Sequence, residues 1–214
     1  MLKCACQKIV VVPLFLFLLT PCAFAESSLP GEEMELSAAD LKRMSVFVSN
    51  FTELRMPDFD TAQLAAQNPP ALLIYFGIEH NQINNSSKIL SCPDKNCGGG
   101  FGGQLILEWR YVAESIKKYF DVSLAGCADV TVLEHSYRYD GKYCHFSVAD
   151  TVAYYAKVTK AFKTPDGRIV MRGEIYHSYN ESEITGTFEV LAKPHKYNGK
   201  DTWAILAFKT SELR

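Results

Sequence analysis

Over the last third of the chain, apolar and polar residues alternate with period two. Val152, Tyr154, Ala156, Val158 and Phe162 oppose Ala153, Tyr155, Lys157 and Thr159. Ile169, Met171, Gly173, Ile175, His177 and Tyr179 oppose Val170, Arg172, Glu174, Tyr176 and Ser178. Ile184, Gly186, Phe188, Val190 and Ala192 oppose Thr185, Thr187, Glu189, Leu191 and Lys193. Side chains alternate faces along a strand, so each run has one apolar and one mostly polar face. That is the pattern of an antiparallel sheet covered on one side. Turn chemistry separates the runs at Thr164-Pro165-Asp166-Gly167, Asn180-Glu181-Ser182-Glu183 and Asn198-Gly199, and a fourth run, Thr202 to Phe208, follows. Matching the apolar faces places Tyr179 opposite Ile184, Ile175 opposite Phe188 and His177 opposite Gly186. Gly173 and Gly186 fall on the apolar face, which fits a bent sheet with a helix in its hollow or, alternatively, two tolerated glycines in a flat sheet.

The period changes toward 3.6 upstream. Ser37 can cap a helix with Asp40 at its third position, Leu36 can staple onto Leu41, and Leu41, Met44, Val48 and Phe51 form its stripe. Thr61 to Gln67 reads as a helical turn. A second helix opens at Asn68-Pro69 and is apolar around much of its circumference. A third spans Trp109 to Phe120, after a short strand at Gln104 to Leu107. Val130 to Tyr139 and Lys142 to Phe146 read as one hairpin turning at Asp140-Gly141. The fold class is α+β, with N-terminal helices packed on a curved antiparallel sheet, cone-like.

Met1 to Ala25 has the form of a secretory signal: Lys3 and Lys8, the apolar run Ile9 to Leu19, and Ala23-Phe24-Ala25 as a small-x-small cleavage site. The apolar run is short of the roughly 20 residues of a spanning helix. Pro21 disfavours Cys22 as a lipid anchor. Residues 26–35 form a polar leader and 36–214 a single domain. Without Lys3 and Lys8, the 22 Lys and Arg fall to 20 against 24 Asp and Glu, a net charge of −4. That balance argues against nucleic acid and anionic membrane as partners.

Of seven cysteines, Cys92, Cys97, Cys127 and Cys144 follow the signal. An even count in an exported chain is read as disulfides, with Cys92–Cys97 and Cys127–Cys144 the favoured pairing of three. The spacing suits neither a zinc finger nor a redox pair, and no metal is expected. Gly98 to Gly103 reads as a flexible surface loop, because no helix start with Lys-Ser or Lys-Thr follows it.

No residue is assigned as catalytic. Glu134, Ser136 and His145 fall on one strand face, a superficial triad. Glu79-His80 reads as a polar helix edge, His195 as a solvated turn residue, and His135 as facing away from His145. Tyr137, Tyr139, Tyr143, Tyr155 and Tyr176 are candidates for an aromatic sheet surface. The pocket candidates are Tyr154, Met171, His177, Tyr179 and Phe188.

The order helix, helix, short strand, helix, long meander, from Leu36 to Leu213, resembles the cone-shaped fold of the nuclear-transport-factor-like superfamily, a relative in shape of cystatins. That resemblance implies a concave pocket faced by Tyr154, Met171, His177 and Phe188, while the acid/base dyads of its enzymes have no counterpart here. Leu41 to Phe51 and Tyr111 to Phe120 are similar to segments of uncharacterised exported bacterial proteins and lipoproteins. The resulting expectation is a periplasmic or secreted, non-enzymatic domain without cofactor. It would bind a protein or a small ligand, and a homodimer through the sheet face is compatible with it. The alternative is an enzyme with His177 as acid or base.

Overall fold

The structure, a computed structural model, describes residues 31–93, 104–148 and 153–212. The signal segment, leader residues 26–30, Cys97, the Gly98–Gly103 run and Val152 lie outside the described residues.

The elements in order are β1 (Glu32–Glu33), α1 (Ala38–Thr52), β2 (Phe59–Asp60), α2 (Thr61–Ala66), α3 (Ala71–Asn84), a 3-10 turn (Ser86–Lys88), β3 (Leu90–Ser91), β4 (Gln104–Glu108) and α4 (Trp109–Phe120). Then come β5 (Val130–Val132), β6 (His135–Tyr139), β7 (Tyr143–Ser147), β8 (Tyr154–Lys163), β9 (Ile169–His177), β10 (Asn180–Tyr197) and β11 (Lys200–Glu212). They form two antiparallel sheets, β1-β8-β9-β10-β11-β2 and β3-β4-β7-β6-β5. The fold is α+β. Helix α1 packs on β8, α4 reaches β11, and α3 packs on α4 and β5. The expected second helix therefore covers the small sheet and α4 rather than the meander, and it starts at Ala71. Phe51 of α1 lies at the centre of the core, with Phe47, Phe59, Phe76, Tyr119, Phe120 and Phe208 around it at ring distances of 5.0 to 6.2 Å.

Helix α1 starts with the capping box that Ser37 and Asp40 were expected to form. Its polar residues do more than face water. Val158 N–H donates to Ser45 Oγ (2.9 Å), Ala156 N–H donates to Ser49 Oγ (3.0 Å), and Thr52 Oγ1 donates to Tyr154 O (2.8 Å). Hydroxyls at helical spacing thus satisfy the backbone edge of β8 where β1 no longer pairs with it. The other edge is closed by Asp58, which accepts from Thr210 N–H (2.8 Å), by β2, and by Thr61, which donates to Ile205 O (2.8 Å). Both edges of the meander thus carry partners over part of their length, on β11 from Ile205 to Thr210, which blunts strand addition there.

The register differs from expectation by two residues. Phe188 lies opposite Gly173 and Gly186 opposite Ile175, while His177 pairs with Asn180. The chain reverses at Ser178-Tyr179, before the polar run Asn180–Glu183 begins, and irregularities between Asn180 and Gly186 absorb the slack. From Gly186 to Ala192 the slip of two keeps each side chain on its face, so the apolar pattern does not distinguish the registers there. Geometry does: a Cβ on Gly173 would stand 2.0 Å from Lys157 O and 2.8 Å from Phe188 Cζ, so only glycine admits this approach.

The small sheet also departs from the expected hairpin. Leu133 (φ 50°) and Glu134 (φ 67°) make a tight turn that splits Val130–Tyr139 into β5 and β6. Two successive left-handed residues suit a two-residue hairpin, but Leu-Glu carries none of the usual Asn-Gly signal. At the next turn Asp140 Oδ1 accepts from Lys142 N–H (2.8 Å) and Tyr143 N–H (2.7 Å), which sets Tyr139 opposite Cys144 and Arg138 opposite His145.

Candidate functional site

The last turn of α1 delivers the chain to the open end of the large sheet. Arg55 takes a left-handed conformation (φ 48°), and Met56 N–H donates back to Phe51 O at 3.1 Å. This reversal lays the Arg55 guanidinium over the Tyr154 ring, 4.8 Å from its centroid, with Nη2 3.2 Å from the Tyr154 hydroxyl. Beside them opens a cleft of about 420 Å³. Its apolar wall is Met56, Ile175 and Phe208; its polar rim includes Arg55, Thr185 and Glu212. The cleft lies between α1 and the ends of β8, β9, β10 and β11. Gly186 lines it as bare backbone: a Cβ there would meet Ser211 O at 2.7 Å. Among the described residues, Arg55 has no carboxylate partner.

Of the residues singled out in the sequence, Tyr154 lines this cleft. His177 packs edge-on against the Tyr154 ring (5.4 Å) and against Tyr179 (4.8 Å), and its Nδ1 accepts from Tyr179 N–H at 3.3 Å. Tyr179 stands in the turn, 83% exposed. Arg55, Tyr154, His177 and Tyr179 thus form one continuous row of contacts beside the cleft. Met171 and Phe188 are buried in the core and do not reach it. Arg55 and Met56 carry no periodic signal, and Thr185 reads only as a polar-face strand residue, so none of the three stands out as a site residue in the sequence. An Arg-Met-Pro run at a helix end is the only trace of the first two.

The remaining candidates separate. Glu134 sits in a turn, so Glu134, Ser136 and His145 do not share a site. His145 Nε2 lies 2.9 Å from Asp140 Oδ2 instead, and its Nδ1 is 3.8 Å from Cys92 Sγ. Hydrogen bonds from the Tyr143 backbone, then from the His145 side chain, hold the Asp140 carboxyl down at about 2. His195 belongs to β10 rather than to a turn; its side chain is 10% exposed, with Nδ1 3.9 Å from Asp121. Tyr155 and Tyr176 pair across the sheet at 5.9 Å, whereas Tyr137 is buried.

Cys127 and Cys144 stand side by side, as their expected pairing requires. Their sulfurs are 3.4 Å apart, however, against about 2.05 Å in a disulfide, so they are adjacent thiols here. The other expected pair includes Cys97, which lies outside the described residues.

Glu79 and His80 form no polar edge. Both are buried on α3. Glu79 accepts from the Tyr137 hydroxyl at 2.7 Å, and burial pushes its carboxyl above the ordinary range. His80 stacks flat on Phe76 (5.5 Å) and edge-on to Tyr119 (4.7 Å). Burial, then the Lys118 charge, pulls its imidazole down to about 4. The signal available was the apolar ring of residues around this helix, which leaves no solvent face for a polar pair.

Among the described residues, no group of three or more His, Cys, Asp or Glu could hold a metal ion, and no helix is long and apolar enough to cross a membrane. Compared with known proteins, the chain matches no protein-family model, no curated protein and no solved structure.

Proposed function

We propose that this chain is an exported domain that binds a small amphipathic ligand in the cleft at the open end of its large sheet, rather than an enzyme. The observation that carries the reading is the cleft itself. Its 420 Å³ falls within the roughly 300–1,000 Å³ of organic-ligand pockets. It combines an apolar wall with one guanidinium whose donors are turned to Tyr154 and to no carboxylate. An apolar body would lie on Met56, Ile175 and Phe208, and an acceptor group would take Arg55, with Glu212 selecting against a second negative end. The signal-like Met1–Ala25 segment and the adjacent Cys127 and Cys144 sulfurs support an oxidising compartment, where that pair would close. A protein partner or a second copy would meet the sheet face, since much of both meander edges is occupied.

The test uses anilinonaphthalene sulfonate, an aromatic anion whose fluorescence rises on apolar contact. The folded protein should bind it saturably at one site, and Arg55→Gln or Tyr154→Ala should weaken binding at least fivefold. A flat titration, or equal binding by both variants, overturns the reading. His177→Gln should leave binding within twofold, because His177 touches the cleft only through Tyr154.

A further inference from the structure

A second pocket, of about 160 Å³, lies among α3, α4 and the Tyr197 end of β10. It is too small for the organic ligands that fill pockets of roughly 300 Å³ and more. Its lining is polar: His80, Asn81, Lys88, Glu114, Ser115 and Lys118 contribute.

Three features of this lining point the same way. The first is charge. Lys88 and Lys118 line the pocket, and Lys200 is close enough to act on Lys118. Lys88 lies 5.1 Å above the Tyr111 ring, and Lys118 lies 4.5 Å above the Tyr119 ring with Nζ 3.0 Å from that hydroxyl. Among the described residues, none of the three lysines forms an ion pair. Glu114 is the one carboxylate in the lining, and Glu53 lies beyond Asn84.

The second is the supply of unused donors. Buried Asn81 Nδ2 donates to Gly77 O (2.8 Å), Tyr111 O (3.2 Å) and Ser115 Oγ (2.9 Å). Ser115 Oγ is thereby an acceptor, and its own proton has no acceptor among the described residues. Asn84 Nδ2 meets His80 Nδ1 at 3.3 Å, which makes Nδ1 the acceptor and puts the ring proton on Nε2. Nε2 makes no hydrogen bond within the described residues, and the ring lines the pocket.

The third is the cost of this arrangement without an anion. Burial, then Lys200, holds the Lys118 ammonium below its ordinary pKa. A half-buried ammonium beside open N–H and O–H donors favours the entry of a negative group.

We propose that this pocket binds a small tetrahedral oxyanion of the phosphate class, held by Lys118, Lys88, Ser115 and the His80 Nε2–H. The free ion and the head of a phosphomonoester present the same chemistry of recognition.

The test is calorimetric titration of the folded protein with inorganic phosphate at pH 7 and constant ionic strength. Saturable one-to-one binding is expected. Lys118→Gln should weaken it at least tenfold, and Ser115→Ala, which removes a donor and no charge, about threefold. Lys163→Gln, at the far end of β8, should change nothing. A glycerol phosphate arm separates the sources: comparable binding shows that the ester is accepted, and binding of phosphate alone shows that the free ion is the ligand. Absence of saturable binding overturns the proposal, as does an equal loss in Lys163→Gln, which would reduce it to diffuse charge. Circular dichroism of Lys118→Gln and Ser115→Ala confirms that the comparison is between folded proteins.

Discussion

Two seams of this molecule bury polar side chains, and they do it in opposite ways. Between α1 and β8, Ser45, Ser49 and Thr52 are all matched to backbone groups of one strand. Between α3 and α4, Asn81 is matched, but His80 and Ser115 each keep an open donor and Lys118 keeps its charge. A buried polar group is ordinarily satisfied. The first seam obeys that rule inside the protein and is read as architecture. The second leaves the His80 and Ser115 donors to whatever occupies the pocket, which the proposal identifies as an oxyanion. Burial of polar residues is therefore a poor guide to a site in this fold; incomplete pairing is the better one.

The contrast predicts where damage will be structural. Ser45→Ala with Ser49→Ala leaves two N–H groups of β8 without partners, at about 1–3 kcal/mol each. The double variant should lose about 4 kcal/mol of unfolding free energy in urea, with anilinonaphthalene sulfonate binding intact at low denaturant. A loss under 1 kcal/mol would mean that water replaces the hydroxyls and that the edge is not sealed.

The thiol pair gives the next effect. Oxidising Cys127 and Cys144 closes a loop between cysteines 17 positions apart. It should add about 3 kcal/mol, by the loop-entropy scale. Urea curves with and without reductant should differ by that amount, and Cys127→Ala with Cys144→Ala should abolish the difference.

Acid should act through the open seam. The His80 imidazole is near 4 in the folded chain against 6.5 unfolded, so the unfolded state takes up its proton first. Its contribution is complete above pH 6.5 and is lost as pH falls toward about 4. It amounts to about 2–3 kcal/mol, at roughly 1.4 kcal/mol per pH unit. Glu79 and Glu53, whose carboxyls are raised by burial, run in the opposite sense and lose their contribution as pH rises. Comparing His80→Gln with the parent between pH 4 and 6.5 isolates the histidine; parallel curves would remove it as the acid-sensitive group.

The smallest effect tests packing in the same seam. Gly77 faces Val112, where a Cβ would come within 2.6 Å of Cγ1 and 2.9 Å of the carbonyl oxygen. Gly77→Ala gains helix propensity of up to about 1 kcal/mol but forces α3 and α4 apart at roughly 1–3 kcal/mol. A net loss of about 1 kcal/mol is expected in thermal unfolding, and a gain would show that the helices can part freely.

Much of this architecture was legible in the sequence. The bounds of α4, Trp109 to Phe120, and the capping box of α1 follow from local pattern. So does the meander, because period two is strong over long strands. Its pairing was readable only modulo two, since Ile175 and Gly173 point the same way and either can face Phe188. The sealed edge was hidden because Ser45, Ser49 and Thr52 look like an ordinary solvated face of α1. What separates docked hydroxyls from wet ones is the strand they meet, more than 100 residues later. The cleft was half visible: Tyr154 stood out by alternation, while Arg55 enters through a left-handed turn that no periodicity marks. Met171 and Phe188 share the alternation of Tyr154, but they lie deeper along their strands, and depth is not encoded in a period.

Amide chemical-shift mapping with both probes on one sample tests the distinction between the seams most directly. Phosphate should move the amides of Asn85 and Ser115, and anilinonaphthalene sulfonate those of Thr185, Gly186 and Thr210. Neither should move Ala156 and Val158, whose partners are already in place. Shifts centred on Ala156 and Val158, or one common footprint for the two probes, would contradict the account.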